Sequence, residues 1–212
     1  MAYAFASASS QYFSSTSSPM ATAATITMSL WQNVTGSATG ALAFLQNSTG
    51  AHASGMYNLS NNTSRGYHAN STTNGQPVAT GSLSANVWHH YCFKNSSATS
   101  RDMFRDGGNK GSNATNVTAP DTTRLIVGAS WDSSNNVVSL LNGRIAELAI
   151  WDVALTDDEI ASLAKGFRAT RIRPQSLVYY APLVRETIDE RGAIALTATN
   201  GPTVYEHPRR VG

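Results

Sequence analysis

The chain has 212 residues and a mass of 22.5 kDa, which suits one large domain whose core stands without disulfide or metal staples. Charged residues are only 13 %, about half the ~25 % of an ordinary soluble domain, and 64 Ser, Thr and Asn residues fill the gap. Residues 1–100 hold only Arg65 and Lys94 as charges and no acid, and the net charge is +2; this excludes an acidic pair from the first half and argues against a nucleic-acid groove.

In chain order the pattern is one of short strands separated by turn-rich loops. Tyr3–Ala6 and Gln11–Phe13 are short extended runs, followed by a polar break over Ser14–Pro19. Thr25–Trp31 alternates with period two, placing Ile26, Met28 and Leu30 on one face and hydroxyls on the other. Ala41–Gln46 is a short apolar strand. From Gly50 to Gly81 the pattern is weak, with edge strands expected near Met56–Leu59 and Arg65–His68. Asn86–Lys94 is an aromatic-rich strand. It contains Cys92, the only cysteine, which excludes an internal disulfide and reads as a buried, inert thiol. Arg101–Arg105 ends in Asp106-Gly107-Gly108, a tight-turn sequence. Arg124–Gly128 and Ile145–Trp151 are further strands, the latter with Ile145, Leu148 and Ile150 as its apolar face.

One helix is predicted, over roughly 157–165. Thr156 and Glu159 form a capping box, and Leu155 and Ile160 can staple it. Gly166 stops it. Gln175–Leu183 and Ile194–Ala198 read as strands, and Glu206–Gly212 as a polar, exposed tail. No run approaches the ~18 apolar residues of a membrane span, and no leader peptide is expected at the N-terminus. The whole predicts an all-β fold: a two-sheet antiparallel jelly-roll β-sandwich with one short helix. It reads as a single domain over 1–212, in which 167–212 adds strands and a tail.

Five segments in order then carry a resemblance: Asn86–Tyr91, Met103–Gly107, Leu125–Gly128, Leu141–Trp151 and Ala154–Ile160. Together they resemble the concanavalin A-like, laminin-G-like jelly-roll superfamily, and the start of the chain resembles the first hairpin of such domains. A second set, Arg173-Pro174, Leu177–Leu183 and Glu206-His207-Pro208, resembles the C-terminal section of laminin-G-like virion proteins of tailed bacteriophages. That resemblance implies a non-enzymatic capsid-decoration protein, made in a bacterial cytoplasm and carried on the virion. Its partner would be the major capsid protein or another virion protein, and it would sit as a homo-oligomer on the particle. The alternative is a carbohydrate-binding, lectin-like module of a fibre, tail or host-recognition protein, with Trp131 and the loops around residues 50–75 at its rim.

Site chemistry is sparse. Glucanases of the superfamily use paired carboxylates on one strand, and Glu147 has no such partner on its own. Glu186, Asp189 and Glu190 sit in a turn-like, Arg-rich stretch where solvated charge is the expected role. No Gly-x-Ser-x-Gly elbow is present, and the adjacent His89 and His90 must face opposite sides of a strand. One of the two is expected to be packed and hydrogen-bonded, while His52, His68 and His207 are expected to be solvated. No cofactor is expected; calcium would have to come from scattered loop acids such as Asp102, Asp106, Asp121 and Asp132, with no ligand run to hold it.

Trp31, Trp88 and Trp151 are expected in the core. Trp131 stands in a polar loop, with Asp132 and Asn135 beside it, and Tyr57 and Tyr67 lie in similarly polar stretches. These five are the candidate glycan or partner contacts, set against a reading in which Trp131 merely packs over the sandwich end. Arg168, Arg171, Arg173, Arg209 and Arg210 are the candidate docking charges. The charge-poor residues 1–100 are expected to be over-represented in any buried contact surface, since they cost little to desolvate.

Overall fold

The structure is a computed structural model, described for residues 2–36, 39–184, 187–191 and 194–208. Among the described residues the strands are β1 (Ala2–Phe5), β2 (Tyr12–Ser15), β3 (Ile26–Val34), β4 (Gly40–Gln46), β5 (Ala53–Asn58), β6 (Ser64–Ala69), β7 (Asn74–Gly75), β8 (Trp88–Ser97) and β9 (Ser100–Arg105). They continue as β10 (Gly108–Asn113), β11 (Arg124–Val127), β12 (Ser130–Trp131), β13 (Val137–Val138) and β14 (Gly143–Trp151). The helix α1 spans Asp157–Ala164, followed by β15 (Leu177–Ala181), β16 (Thr197–Thr199) and β17 (Thr203–Tyr205).

Two antiparallel sheets form the sandwich. Sheet A runs β10-β9-β8-β3-β14-β1-β17, with β15 also on β14; sheet B runs β16-β2-β11-β4-β5-β6-β7. The central core lies between them: Ile26, Met28 and Leu30 of β3 meet Leu45, Met56, Leu125 and Val127 of sheet B. The period-two pattern of Thr25–Trp31 dictates this, since one face of a half-buried strand must be apolar.

Each sheet also carries a covering on its outer face. On sheet A, α1 buries Ile160 and Leu163 against Phe104, Trp151 and Tyr180. Its capping box is complete: the Thr156 hydroxyl accepts from the Glu159 N–H and the Glu159 carboxylate accepts from the Thr156 N–H. On sheet B, the small β12–β13 hairpin lies over Phe44, Ile126 and Ala129.

Several expectations need correction. β1 and β2 do not form a hairpin: a 3-10 turn at Ser7–Ser9, ending in left-handed Ser10, carries the chain from sheet A to sheet B. β5 is not an edge strand but pairs on both sides, with β4 and β6. Its pattern is weak because Ala53, Ser54 and Gly55 are buried small residues rather than large apolar ones. The strand near the C-terminus is Thr197–Thr199, and Ala195 makes only an isolated bridge to Ile188. Nor is the tail simply exposed. Glu206 is exposed, but His207 is half-buried and Pro208 buried; ahead of them Thr203–Tyr205 pairs with β1 as a strand the sequence reading lacked, and Arg144 stacks on Tyr205. Arg209 and Arg210 lie outside the described residues. Trp151 is fully buried, whereas Trp31 and Trp88 are half-buried.

Candidate functional site

The outer face of sheet B holds an open hollow of about 570 Å³, within the ~300–1,000 Å³ range of small-molecule sites. Its floor is aromatic. Strand alternation turns Leu45 and Met56 inward and sends Phe44, Tyr57 and Tyr67 outward from three neighbouring strands. Their ring centroids lie 6.0–6.2 Å apart. Gly55, cross-strand from both Phe44 and Tyr67, keeps the floor open. A Cβ there would lie 2.6 Å from the Phe44 ring and 2.3 Å from the Ala43 carbonyl.

Trp131 on β12 makes one wall, and its position is set from three sides. The buried amide of Gln46 grips its backbone: Gln46 Nε2 donates to the Trp131 carbonyl (2.9 Å) and the Trp131 N–H donates to Gln46 Oε1 (3.0 Å). The Arg124 guanidinium lies 3.9 Å from the indole centroid, a cation–π contact. Gly50, at φ +70°, butts against the following residue, where a Cβ would fall 2.2 Å from the Asp132 carbonyl. The opposite wall is the Asn70–Asn74 loop. Asn70 Oδ1 accepts from the N–H groups of Thr72 and Thr73 (2.9 and 2.8 Å) and from both hydroxyls. The loop is therefore an ordered Asx turn.

Asp132 is the charged residue of this lining among the described residues. Its carboxylate accepts from the N–H of Asn136 (2.8 Å), the N–H of Ser134 (2.9 Å) and the Asn136 amide. Those bonds, the Asn136 backbone foremost, hold its pKa below the usual carboxylate value. Burial raises the phenol pKa values of Tyr57 and Tyr67, so both are neutral donors and acceptors at physiological pH.

Four of the five sequence candidates, Trp131, Asp132, Tyr57 and Tyr67, thus line one hollow. Asn135 does not; at φ 66° it forms the hairpin turn, and its amide oxygen accepts from Arg124. Gln46 and Phe44 were missed by sequence reading, whereas the Asn70–Asn74 loop falls within the 50–75 loops expected at the rim. The Asn-x-Thr-Thr run was a usable turn signal, but Gln46 ends an apolar strand and gave none. Of the docking charges, Arg168 and Arg171 are exposed, and Arg173 donates to Glu159 at 2.6 Å.

Sheet A holds the other polar cluster. There Ser29 Oγ and His90 Nε2 are 2.8 Å apart, and Glu147 accepts from Tyr180 (2.5 Å) and meets His207 (2.7 Å). The void between them is about 10 Å³, room for one water and no substrate. Burial pushes His90 down to about 4, leaving it neutral. His207 is therefore engaged rather than solvated. His68 is fully buried too, bonded to Ser54, and burial pushes its pKa down to about 3. Cys92 is fully buried, which raises its pKa.

The loop acids are committed elsewhere: Asp102 pairs with Lys94 and Lys110, Asp106 with His89, and Asp121 with His52. Among the described residues, no three His, Cys, Asp or Glu side chains gather where they could hold a metal.

A family profile for the concanavalin A-like lectin/glucanases superfamily matches residues 7–161. A search of curated proteins finds no match to the sequence. Among solved structures, a putative carbohydrate binding protein from Bacteroides ovatus is 16 % identical with a TM-score of 0.71; the match covers 95 % of this chain and 58 % of that one. A heptameric SAP-like pentraxin from Limulus polyphemus is 14 % identical, with a TM-score of 0.63 and coverage of 91 % and 87 %. The CBM40 module of a Ruminococcus gnavus sialidase, bound to α2,3-sialyllactose, is 11 % identical, with a TM-score of 0.55 and coverage of 66 % and 83 %. At these identities the likeness is one of fold.

Proposed function

The chain belongs to the concanavalin A-like lectin/glucanase superfamily, and on that premise we propose that it is a non-enzymatic carbohydrate-binding module whose sugar lies in the hollow of sheet B. The observation that carries this reading is the lining itself. An aromatic floor and the Trp131 indole offer apolar surface for a sugar ring. Hydroxyls, amides and one carboxylate surround them, and such groups fix a polyol in orientation. The walls are held before any ligand arrives, which limits the ordering cost of binding.

The sugar-binding modules among the structural relatives support the same reading. For catalysis the hollow supplies one carboxylate, Asp132, where glycoside hydrolysis needs a pair. The virion-decoration expectation drew on the C-terminal run. That run packs against sheet A through β15, β17 and His207, and neither the fold nor the named relatives add an observation in favour of a capsid partner. The heptamer is a property of the pentraxin; for this chain, self-association would add avidity to a weak sugar site.

Titration against immobilised glycans tests the proposal. Trp131→Ala should weaken binding by about thirtyfold, as for a central Trp anchor worth ~2 kcal/mol, with circular dichroism unchanged. Full affinity in the folded variant would overturn it.

A further inference from the structure

We infer that the hollow selects uncharged glycans and rejects acidic ones, with Asp132 as the specificity-determining residue; the inference rests on the sugar-binding reading above. Its basis is the placement of charge. Among the described residues Asp132, half-buried, is the one charged residue of the lining, and the rest are uncharged. The nearby cations, Arg124 and Arg65, are not among the described lining residues. Arg124 stacks on the Trp131 ring, gives Nη1 to Asn135, and has its Nε and Nη2 sealed from solvent without partners. Arg65 lies over Tyr57, 4.7 Å from the ring centroid, and donates to Gln76.

A sugar acid is ordinarily held by a guanidinium fork presented directly to it. Neither arginine lines the hollow to offer one, and a ligand carboxylate or sulfate would face Asp132 instead. Like charges brought together in a partly desolvated contact carry a large penalty. A neutral sugar, by contrast, can donate its hydroxyls to the same carboxylate. The CBM40 relative was solved with a sialylated sugar; this chain is expected to prefer the opposite class.

The test is a glycan panel in which each neutral chain is paired with its sialylated or sulfated derivative. The wild-type protein should bind the neutral member at least about tenfold more tightly. Asp132→Asn, which retains an acceptor for the Ser134 and Asn136 N–H groups, should narrow that ratio. Independently of any variant, the wild-type ratio should shrink as salt rises from about 0.01 M to 1 M, where the screening length falls from ~30 to ~3 Å. Equal or tighter binding of the acidic members would overturn the inference while leaving sugar binding intact. A ratio unmoved by both Asp132→Asn and salt would remove Asp132 from the role. No binding to any member would overturn the sugar reading itself.

Discussion

Gln46 and Asp132 show how single side chains shape this site. The Gln46 amide makes the two backbone bonds that a neighbouring strand would make, so a two-residue strand is held where its own pairing is too short to hold it. Gln46→Leu removes both bonds and strands a buried N–H and C=O, each lost bond being worth about 1 kcal/mol net. Glycan affinity should fall about tenfold while the sandwich still unfolds cooperatively in a thermal melt; an unchanged affinity would mean that Trp131 is placed without Gln46.

The pH dependence follows from the same residues. The Asp132 pKa is depressed below its ordinary 3.8, so the carboxylate stays charged as pH falls until well into the acid range. The raised pKa values of Tyr57 and Tyr67 keep both phenols protonated on the alkaline side. Affinity should be flat from about pH 5 to 8. A binding midpoint near 6.5, measured by fluorescence titration, would demand a histidine that the described lining does not contain.

At the scale of elements, α1 was legible to within a residue because its capping signal is local and chemical. β14 and β4 show the opposite case. In β14 the alternation slips between Ile145 and Leu148, and the structure absorbs the extra residue as a bulge at Glu147, φ 56°. In β4 a bulge between Ala41 and Ala43 lets Leu42 and Ala43 both face the core while Phe44 points out. Which residue a bulge extrudes depends on the partner strand, and a single sequence does not display its partners. That is why an apolar run over Ala41–Gln46 did not single out Phe44 as floor. The two coverings are also separable. Thr156→Ala should lower unfolding stability by about 1 kcal/mol in a denaturant titration and leave glycan affinity unchanged, because α1 packs on sheet A and the hollow opens on sheet B. A matching loss of affinity would show the two faces to be coupled.

Over the whole molecule, the uneven charge is the feature that sequence and structure share most directly. The floor of the hollow and the Asn70–Asn74 wall come from the half of the chain that carries only Arg65 and Lys94. Neither belongs to the described lining: Arg65 lies over Tyr57 and donates to Gln76, and Lys94 pairs with Asp102 and Asp157. Composition thus pointed to a surface cheap to desolvate. It could not say that residues 41–74 and the Trp131 hairpin, some sixty positions on, close around one space, because that contact is made by sheet pairing across the chain. The longer strands, the helix and four site residues were readable from pattern and from the aromatics in polar stretches; β7, β10, β12, β13 and β17 were not, nor were the clamps, which exist only between elements.

The claim at the centre of this account is that a sugar occupies the sheet B hollow. The most direct measurement is an NMR titration of the full chain with the tightest glycan of the panel, with the Trp131 indole resonance assigned through Trp131→Phe. Perturbations should centre on Trp131, Tyr57, Tyr67 and the Asn70–Asn74 loop. Perturbations confined to sheet A, around Trp31, His207 or α1, would contradict it.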